Sequence, residues 1–157
     1  LAGDADAAAF FNVLSQHQTV VSDYMGSLVK AWGDVSNEDR VWMVTRFYTT
    51  DPLRVLEAQE KLMADPAGKK FPGQVALHAT SLGNRSGANN QISTHLFAVG
   101  YKDVAEMEAW TSYLNTQPSW GEYLTSVRDV VTWQGTELLQ NAVIYDAALD
   151  LEGFTNQ

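Results

Sequence analysis

The sequence predicts an α+β fold in which helices cover one face of an antiparallel sheet. The main observation is the segment 74–101, where two runs rich in Val, Leu, Ile and Phe flank the loop GNRSGANN. Such runs around Gly, Asn and Ser are typical of two antiparallel strands joined by a turn. A helical pattern lies on each side of this hairpin, and a strand-like run lies beyond each helical pattern. The predicted order is therefore strand, helix, strand, strand, helix, strand.

Residues 1–39 are predicted to form an N-terminal helical extension. Apolar residues recur from Asp6 at the three- and four-residue spacings of an amphipathic helix. They are Phe10, Phe11, Leu14, Val21, Met25, Leu28 and Ala31. Gly26 and a Thr-Val-Val run disfavour helix, so a break is expected near 18–22. Gly33 is the predicted end of the helix.

The first strand is predicted at 40–50, because RVWMVTRFYTT is dense in β-branched and aromatic residues. Both alternating faces of this strand are mainly apolar, which indicates that both are covered. Asp51 and Pro52 are typical of a helix start, and this helix is predicted to run to Ala64.

Beyond the hairpin, Asp103 is the predicted cap of a helix that extends to about Val127. Pro118 cannot continue a regular helix, so an interruption is expected there. The segment 133–135 predicts a turn, and 137–145 predicts the last strand.

The predicted domain spans 40–146 and is followed by a C-terminal tail at 147–157. A net charge of −9 disfavours nucleic acid and anionic membrane surfaces as partners. No apolar run approaches the roughly 20 residues of a membrane span. The chain contains no cysteine, so disulfides and thiolate catalysis are excluded. The opening LAGDADAAA leaves cytoplasmic and exported locations both open.

The predicted order is that of the ferredoxin-like split unit. With the helix broken at NTQPSWGEYL and a last strand ending in Tyr145 and Asp146, it resembles the dimeric α+β barrel superfamily. That superfamily includes antibiotic-biosynthesis monooxygenase, EthD-type and stress-responsive barrel proteins. The resemblance covers 40–146 and implies a four-stranded antiparallel sheet with helices on one face. It also implies a homodimer through the other face and a small apolar molecule bound between the two sheets. The N-terminal helix departs from the basic unit.

His78 and His95 are the first candidate catalytic residues. If the hairpin pairs symmetrically about 86–87, the two imidazoles lie directly opposite each other on one face of the sheet. Such a pair could shuttle a proton or bind a metal or haem; alternatively, each fills a half-buried position with a hydrogen bond to a neighbour. No ligand-spacing motif supports a metal site, so no metal and no cofactor is predicted. A metal site would need a third ligand. Glu137 and Asp146 lie near the ends of the predicted last strand, but spacing alone does not place either of them beside the two histidines.

Arg46 is the third candidate catalytic residue, because it is a charge in an otherwise apolar strand. It could anchor a carboxylate or an enolate-like oxygen in a cavity. The alternative is an ion pair with Glu60 or Asp146 that holds two elements together.

Aromatic residues on the predicted strands are the candidate ligand-binding set. They either line a cavity for a flat apolar ligand or form core and dimer contacts. These residues are Trp42, Tyr48, Phe97, Tyr101 and Tyr145.

Two functions stay open at this stage, and the sequence does not decide whether the chain is an enzyme. One is an oligomeric barrel protein that binds a small apolar ligand. The other is a cofactor-independent monooxygenase or isomerase acting on a small aromatic or polyketide-like substrate.

Overall fold

The computed structural model describes residues 9, 13, 25–34, 36, 38–82, 85–86 and 91–140. The strands are β1 (Met25–Trp32), β2 (Val41–Thr49), β3 (Val75–Leu82), β4 (Arg85–Ser86), β5 (Gln91–Ile92), β6 (His95–Tyr101) and β7 (Val131–Gln140). The helices are α1 (Pro52–Ala64), α2 (Val104–Leu114) and α3 (Pro118–Val127), and a short 3-10 turn spans Gly68–Lys70. None of these helices is long and apolar enough to cross a membrane.

Five of the described strands form one antiparallel sheet in the order β1-β3-β6-β2-β7. Without β1, this is the strand order of the ferredoxin-like split unit, and the predicted α+β class is confirmed. The strand β1 pairs with β3 and makes the sheet one strand wider than predicted. The short strands β4 and β5 pair with each other in a separate ribbon.

The helix boundaries follow the predicted capping residues. The Asp51 carboxylate accepts a hydrogen bond from the Arg54 backbone N–H at 3.1 Å, and α1 begins directly after it. Asp103 caps α2 in the same way, accepting from the Glu106 N–H at 2.8 Å. A new helix begins at Pro118, so the predicted interruption is confirmed.

The predicted helix over residues 25–31 is wrong, because this segment is the edge strand β1. Its register shifts between Leu28 and Lys30, which marks a β-bulge. Leu28 pairs with His78 and Ala31 pairs with Ala76, so both lie on one sheet face although they are three residues apart. The bulge thus produces a three-residue apolar spacing that is also typical of a helix. Most of the predicted helix before Met25 lies outside the described residues.

The last strand begins earlier than predicted. The segment 133–135 is not a turn but a bulge inside β7, where the register against β2 shifts between Arg46 and Phe47. Bulges often contain Gly and a polar residue, as turns do, so the two are easily confused in sequence. The predicted end of this strand after Gln140 and the predicted tail lie outside the described residues.

The helices pack on one face of the sheet, here called the helix-covered face. The core there combines strand and helix side chains: Val41, Phe47, Val75, Leu77, Phe97, Val99, Tyr101 and Val131 with Val55, Leu62, Tyr123 and Val127. The opposite face, here called the open face, carries the alternate residues of each strand. Val44 and Leu96 are buried at its centre, whereas Leu28 and Leu139 are exposed on its edge strands.

Candidate functional site

The candidate site is a cavity of about 500 Å³ between the helix-covered face and the helices. Its size falls within the roughly 300–1,000 Å³ of small-molecule sites. The sheet side is formed by Met43, Thr45, Val75, Phe97, Val99 and Tyr101. The helix side is formed by Gln59, Leu62, Met63, Trp110, Leu114, Trp120, Tyr123 and Leu124. None of the described lining residues carries a formal charge.

The mouth of the cavity lies between α3 and the edge strand β7. Leu124 and Trp133 line the cavity and are 38% and 43% exposed, so the cavity reaches the surface here. The bulge in β7 shapes this edge, since Gln134 donates from Nε2 to the Ile92 carbonyl at 2.5 Å and accepts from the Ser93 hydroxyl. These contacts hold one wall of the mouth against the segment that precedes β6.

Several aromatic rings that line the cavity contact one another. Phe71 packs edge-on against Tyr101, with ring centroids 5.5 Å apart, and lies 5.0 Å from the ring of Trp110. Trp120 stacks on Tyr123 at 5.2 Å. Burial raises the pKa of Tyr101, with a smaller contribution from Glu106, and burial also raises the pKa of Tyr123. Both phenols therefore stay protonated and can act as neutral hydrogen-bond donors.

The predicted pairing of His78 with His95 is wrong by one residue. His78 pairs with Leu96, and His95 pairs with Ala79. Because side chains alternate along a strand, a one-residue shift places the two imidazoles on opposite faces of the sheet. The structure therefore does not bring them together, and neither lines the cavity.

His95 lies on the helix-covered face, beside the cavity. Its ring stacks on Phe47 with centroids 5.7 Å apart, and Phe47 also packs against Phe97 and Trp133, which both line the cavity. Its Nδ1 lies 3.0 Å from the Thr94 hydroxyl. Burial lowers the pKa of His95, so the neutral imidazole is favoured.

Arg46 and His78 share a row on the open face, with Leu96 between them. Two strand spacings separate their Cα atoms by about 10 Å. Arg46 forms an ion pair with Glu137 on the neighbouring strand β7, not with Glu60, which pairs with Lys30. Asp146 lies outside the described residues. Arg46 therefore links β2 to β7 on the face away from the cavity.

The predicted aromatic set is divided between the two faces. Phe97 and Tyr101 line the cavity, as a ligand-binding role requires. Trp42 and Tyr48 lie on the open face by strand alternation, and Tyr48 is 40% exposed. Tyr145 lies outside the described residues.

Several lining residues were not assigned to a site from the sequence. Trp133 fell in a predicted turn, and neither Trp120 nor Gln59 was singled out as a site residue. Gln59 had a usable signal, since Val55, Gln59 and Leu62 are spaced as one buried stripe of α1. A polar residue in such a stripe indicates either a buried hydrogen bond or a site.

Among the residues that the structure describes, no group of three or more His, Asp or Glu side chains could hold a metal ion. No imidazole is among the described residues that line the cavity. That the protein uses no cofactor stays a prediction, and haem ligation through a histidine stays the alternative to it.

A second surface depression, of about 680 Å³, lies between α1 and α3 on the outer side of the helices. It is lined by charged residues, among them Lys61 and Glu122, whose side chains form an ion pair at 2.9 Å and are 77% and 62% exposed. A groove with such solvated walls is typical of a surface, so the apolar cavity is the better candidate site.

Comparison with known protein families and with curated proteins gives no match. Among solved structures, an anthrone oxidase-like protein is 12% identical with a TM-score of 0.50, over 94% of this chain and 69% of that protein. An assigned monooxygenase from Lactobacillus acidophilus NCFM is 12% identical with a TM-score of 0.48, over 87% of this chain and 60% of that protein. SnoaB, a cofactor-independent oxygenase from Streptomyces nogalater, is 16% identical with a TM-score of 0.45. The match covers 68% of this chain and 96% of SnoaB.

At these identities the similarity concerns the fold. The chain has a ferredoxin-like α+β fold, as the resemblance in sequence implied, and it shares this fold with the anthrone oxidase-like protein. It spans about 60% of the length of the Lactobacillus protein.

Proposed function

We propose that this chain binds a small, flat, apolar molecule in the cavity between its sheet and its helices. The observation that carries this proposal is the cavity lining, which is aromatic and aliphatic and contains no formal charge among the described residues. Burial of ring surface against such walls supplies the main binding free energy, at roughly 25 cal/mol per Å² of apolar surface. The mouth at Leu124 and Trp133 gives the ligand a path to the cavity. The cavity lies beside the helices, whereas the resemblance implied a site between two sheets.

The test is equilibrium dialysis with 9-fluorenone, a neutral planar ketone. Leu124→Trp places a larger ring at the mouth, so it should weaken binding about tenfold or more, equivalent to about 1.4 kcal/mol. Thr125→Trp is the matched control, because Thr125 is the exposed next residue on α3 and does not line the cavity. Binding that is equal in both variants would show that the probe occupies another place and would overturn the proposal.

A second candidate function is cofactor-independent oxygenation of such a ligand. The observation that favours it is His95, a neutral imidazole beside the cavity but outside its lining, which can accept a proton through an intervening water. Gln59 and the two phenols can donate hydrogen bonds to the oxyanion that develops when a ketone loses an α-proton. With anthrone as substrate, one O₂ is consumed and anthraquinone and water are formed, which balances without another reductant.

Oxygen uptake with anthrone in chelator-treated buffer tests this second candidate. The protein should raise the rate above spontaneous oxidation, and His95→Gln should remove most of that increase while leaving 9-fluorenone binding intact. His78→Gln is the control, since His78 lies on the opposite face. An uptake rate equal to that without protein would exclude the activity on this substrate. The predicted catalytic roles of His78 and Arg46 stay predictions.

The open face supports a proposal about partners. Leu28, Tyr48 and Leu139 expose apolar surface there, at 59%, 40% and 45%. Self-association of two chains through this face would bury that surface. Sedimentation should then give a dimer that Leu139→Glu dissociates, with Leu53→Glu on the exposed surface of α1 as the control. A wild-type monomer at high concentration would contradict this arrangement.

A further inference from the structure

Gln59 places a primary amide in the apolar stripe of α1. The buried residues of this helix are Val55, Gln59 and Leu62, and only 6% of the Gln59 surface is exposed. Burial removes most of the water that would otherwise hydrogen-bond the amide. A buried amide normally finds a hydrogen-bond partner in exchange, either a protein group or an ordered water.

The Gln59 side chain forms no hydrogen bond or ion pair with another residue in the part of the chain that the structure describes. Thr80 Oγ1 is the one buried side-chain polar atom, among those described, that lacks both a hydrogen bond and contact with accessible space. The unpartnered Gln59 amide therefore touches accessible space. Because Gln59 is more than nine-tenths buried and lines the cavity, that space is the cavity itself.

The amide is well suited to a neutral polar group on a ligand. It offers a carbonyl acceptor and two N–H donors, and it carries no charge. The surrounding walls include Tyr101 and Tyr123 but no charged residue among those described. A ligand carboxylate would lose its hydration there without meeting a counter-charge, which strongly disfavours binding.

We propose that Gln59 is the specificity-determining residue of this cavity: its amide hydrogen-bonds an uncharged carbonyl or hydroxyl group on an otherwise apolar ring system. Ligands that lack this group, and ligands that carry a carboxylate, are bound more weakly. The inference rests on the proposed function, since it requires a ligand in the cavity. A ligand carbonyl or hydroxyl group supplies the hydrogen bond that no described residue makes to the Gln59 amide.

The test compares 9-fluorenone with fluorene, which lacks the ketone oxygen, in the wild-type protein and in Gln59→Met. Methionine has a similar length and no hydrogen-bonding amide. The variant should bind 9-fluorenone roughly fivefold more weakly, the effect of one neutral hydrogen bond, and should bind fluorene about as well as the wild type. The wild type should bind 9-fluorenone-2-carboxylate about tenfold or more weakly than 9-fluorenone.

Thermal unfolding of the free protein gives an independent result. Gln59→Met should not lower the unfolding midpoint, because no described residue loses a hydrogen bond when the amide is removed. A lowered midpoint in both Gln59→Met and Gln59→Leu would indicate that the amide is structurally required and would overturn the inference. If Gln59→Met weakened the binding of 9-fluorenone and of fluorene equally, the inference about Gln59 would be overturned, whereas the proposed function would still stand. If neither probe binds the wild type, the proposed function fails first and the inference with it.

Discussion

The two faces of the sheet differ in the polarity of their side chains. On the helix-covered face, the ring of Phe47 packs against Phe97 and Trp133, and these two line a cavity with no formal charge among its described residues. On the open face, the buried Arg46 forms an ion pair with Glu137, and the half-buried His78 lies on the same face. Both faces are built from the same strands, because successive side chains along a strand point to opposite faces of the sheet.

This difference teaches that the most conspicuous polar residues of a strand need not mark its site. Arg46 attracts attention in the sequence, yet it links two strands on the face away from the cavity. Gln59 attracts none, yet its amide reaches the cavity. In this chain, the conspicuous charge therefore lies away from the candidate cavity, and an inconspicuous neutral amide lines it.

The largest effect is expected from removing a ring on the helix-covered face. Phe47→Ala should lower the free energy of unfolding by about 3–5 kcal/mol, because Phe47 is fully buried and packs against His95, Phe97 and Trp133. Urea unfolding measures this change. Tyr48→Ala is the matched control on the neighbouring position of the open face, and a cost of about 1 kcal/mol or less is expected there. Similar costs at both positions would mean that the open face is packed as tightly as the other.

The next effect concerns the charge on the open face. A double-mutant cycle with Arg46→Met and Glu137→Gln should give a coupling energy of about 1–2 kcal/mol, since the arginine side chain is only 10% exposed. Exposure of Glu137 at 42% keeps the value below that of a fully buried pair. The same cycle on Lys61 and Glu122 should give about 0.5 kcal/mol or less, because both side chains are solvated. Equal coupling in the two cycles would show that burial of Arg46 adds nothing.

Sequence patterns predicted most of the fold, because local signals agreed with the tertiary structure. The caps at Asp51 and Asp103 and the break at Pro118 involve neighbouring residues, and all three are confirmed. Strand β1 was missed because its position depends on pairing with β3 and its bulge disturbs the two-residue period. Backbone pairing with a distant strand overrides a weak local helical pattern.

The candidate site was less predictable, because it depends on register and on the approach of separate elements. The predicted centre of the hairpin was misplaced by half a residue, which shifts each pairing by one residue and puts His78 and His95 on different faces. The lining by Phe97 and Tyr101 agrees with the predicted set, whereas Trp133 enters the cavity only because β7 contains a bulge. No local pattern fixes where three helices leave space above a sheet.

The smallest effect is the pH dependence of stability, to which the two faces each contribute one histidine. Burial lowers the pKa of His78 on the open face and of His95 on the helix-covered face below the usual 6.5. As pH falls through about 6.5, the unfolded chain takes up protons before the folded protein does, so stability decreases. The stability that depends on the two neutral imidazoles is fully present above about pH 6.5 and is lost as the pH falls towards their pKa values in the folded protein.

Urea unfolding between about pH 5.5 and 7.5 measures this slope in the range where histidine titrates. Wild-type stability should fall as the pH is lowered, His78→Gln and His95→Gln should each flatten the slope, and the double variant should flatten it most. A slope that changes only in His95→Gln would show that the open face leaves His78 hydrated, which sharpens the contrast between the faces. Stability that rises as the pH falls would mean that the protonated imidazoles are favoured in the folded protein, contrary to their burial.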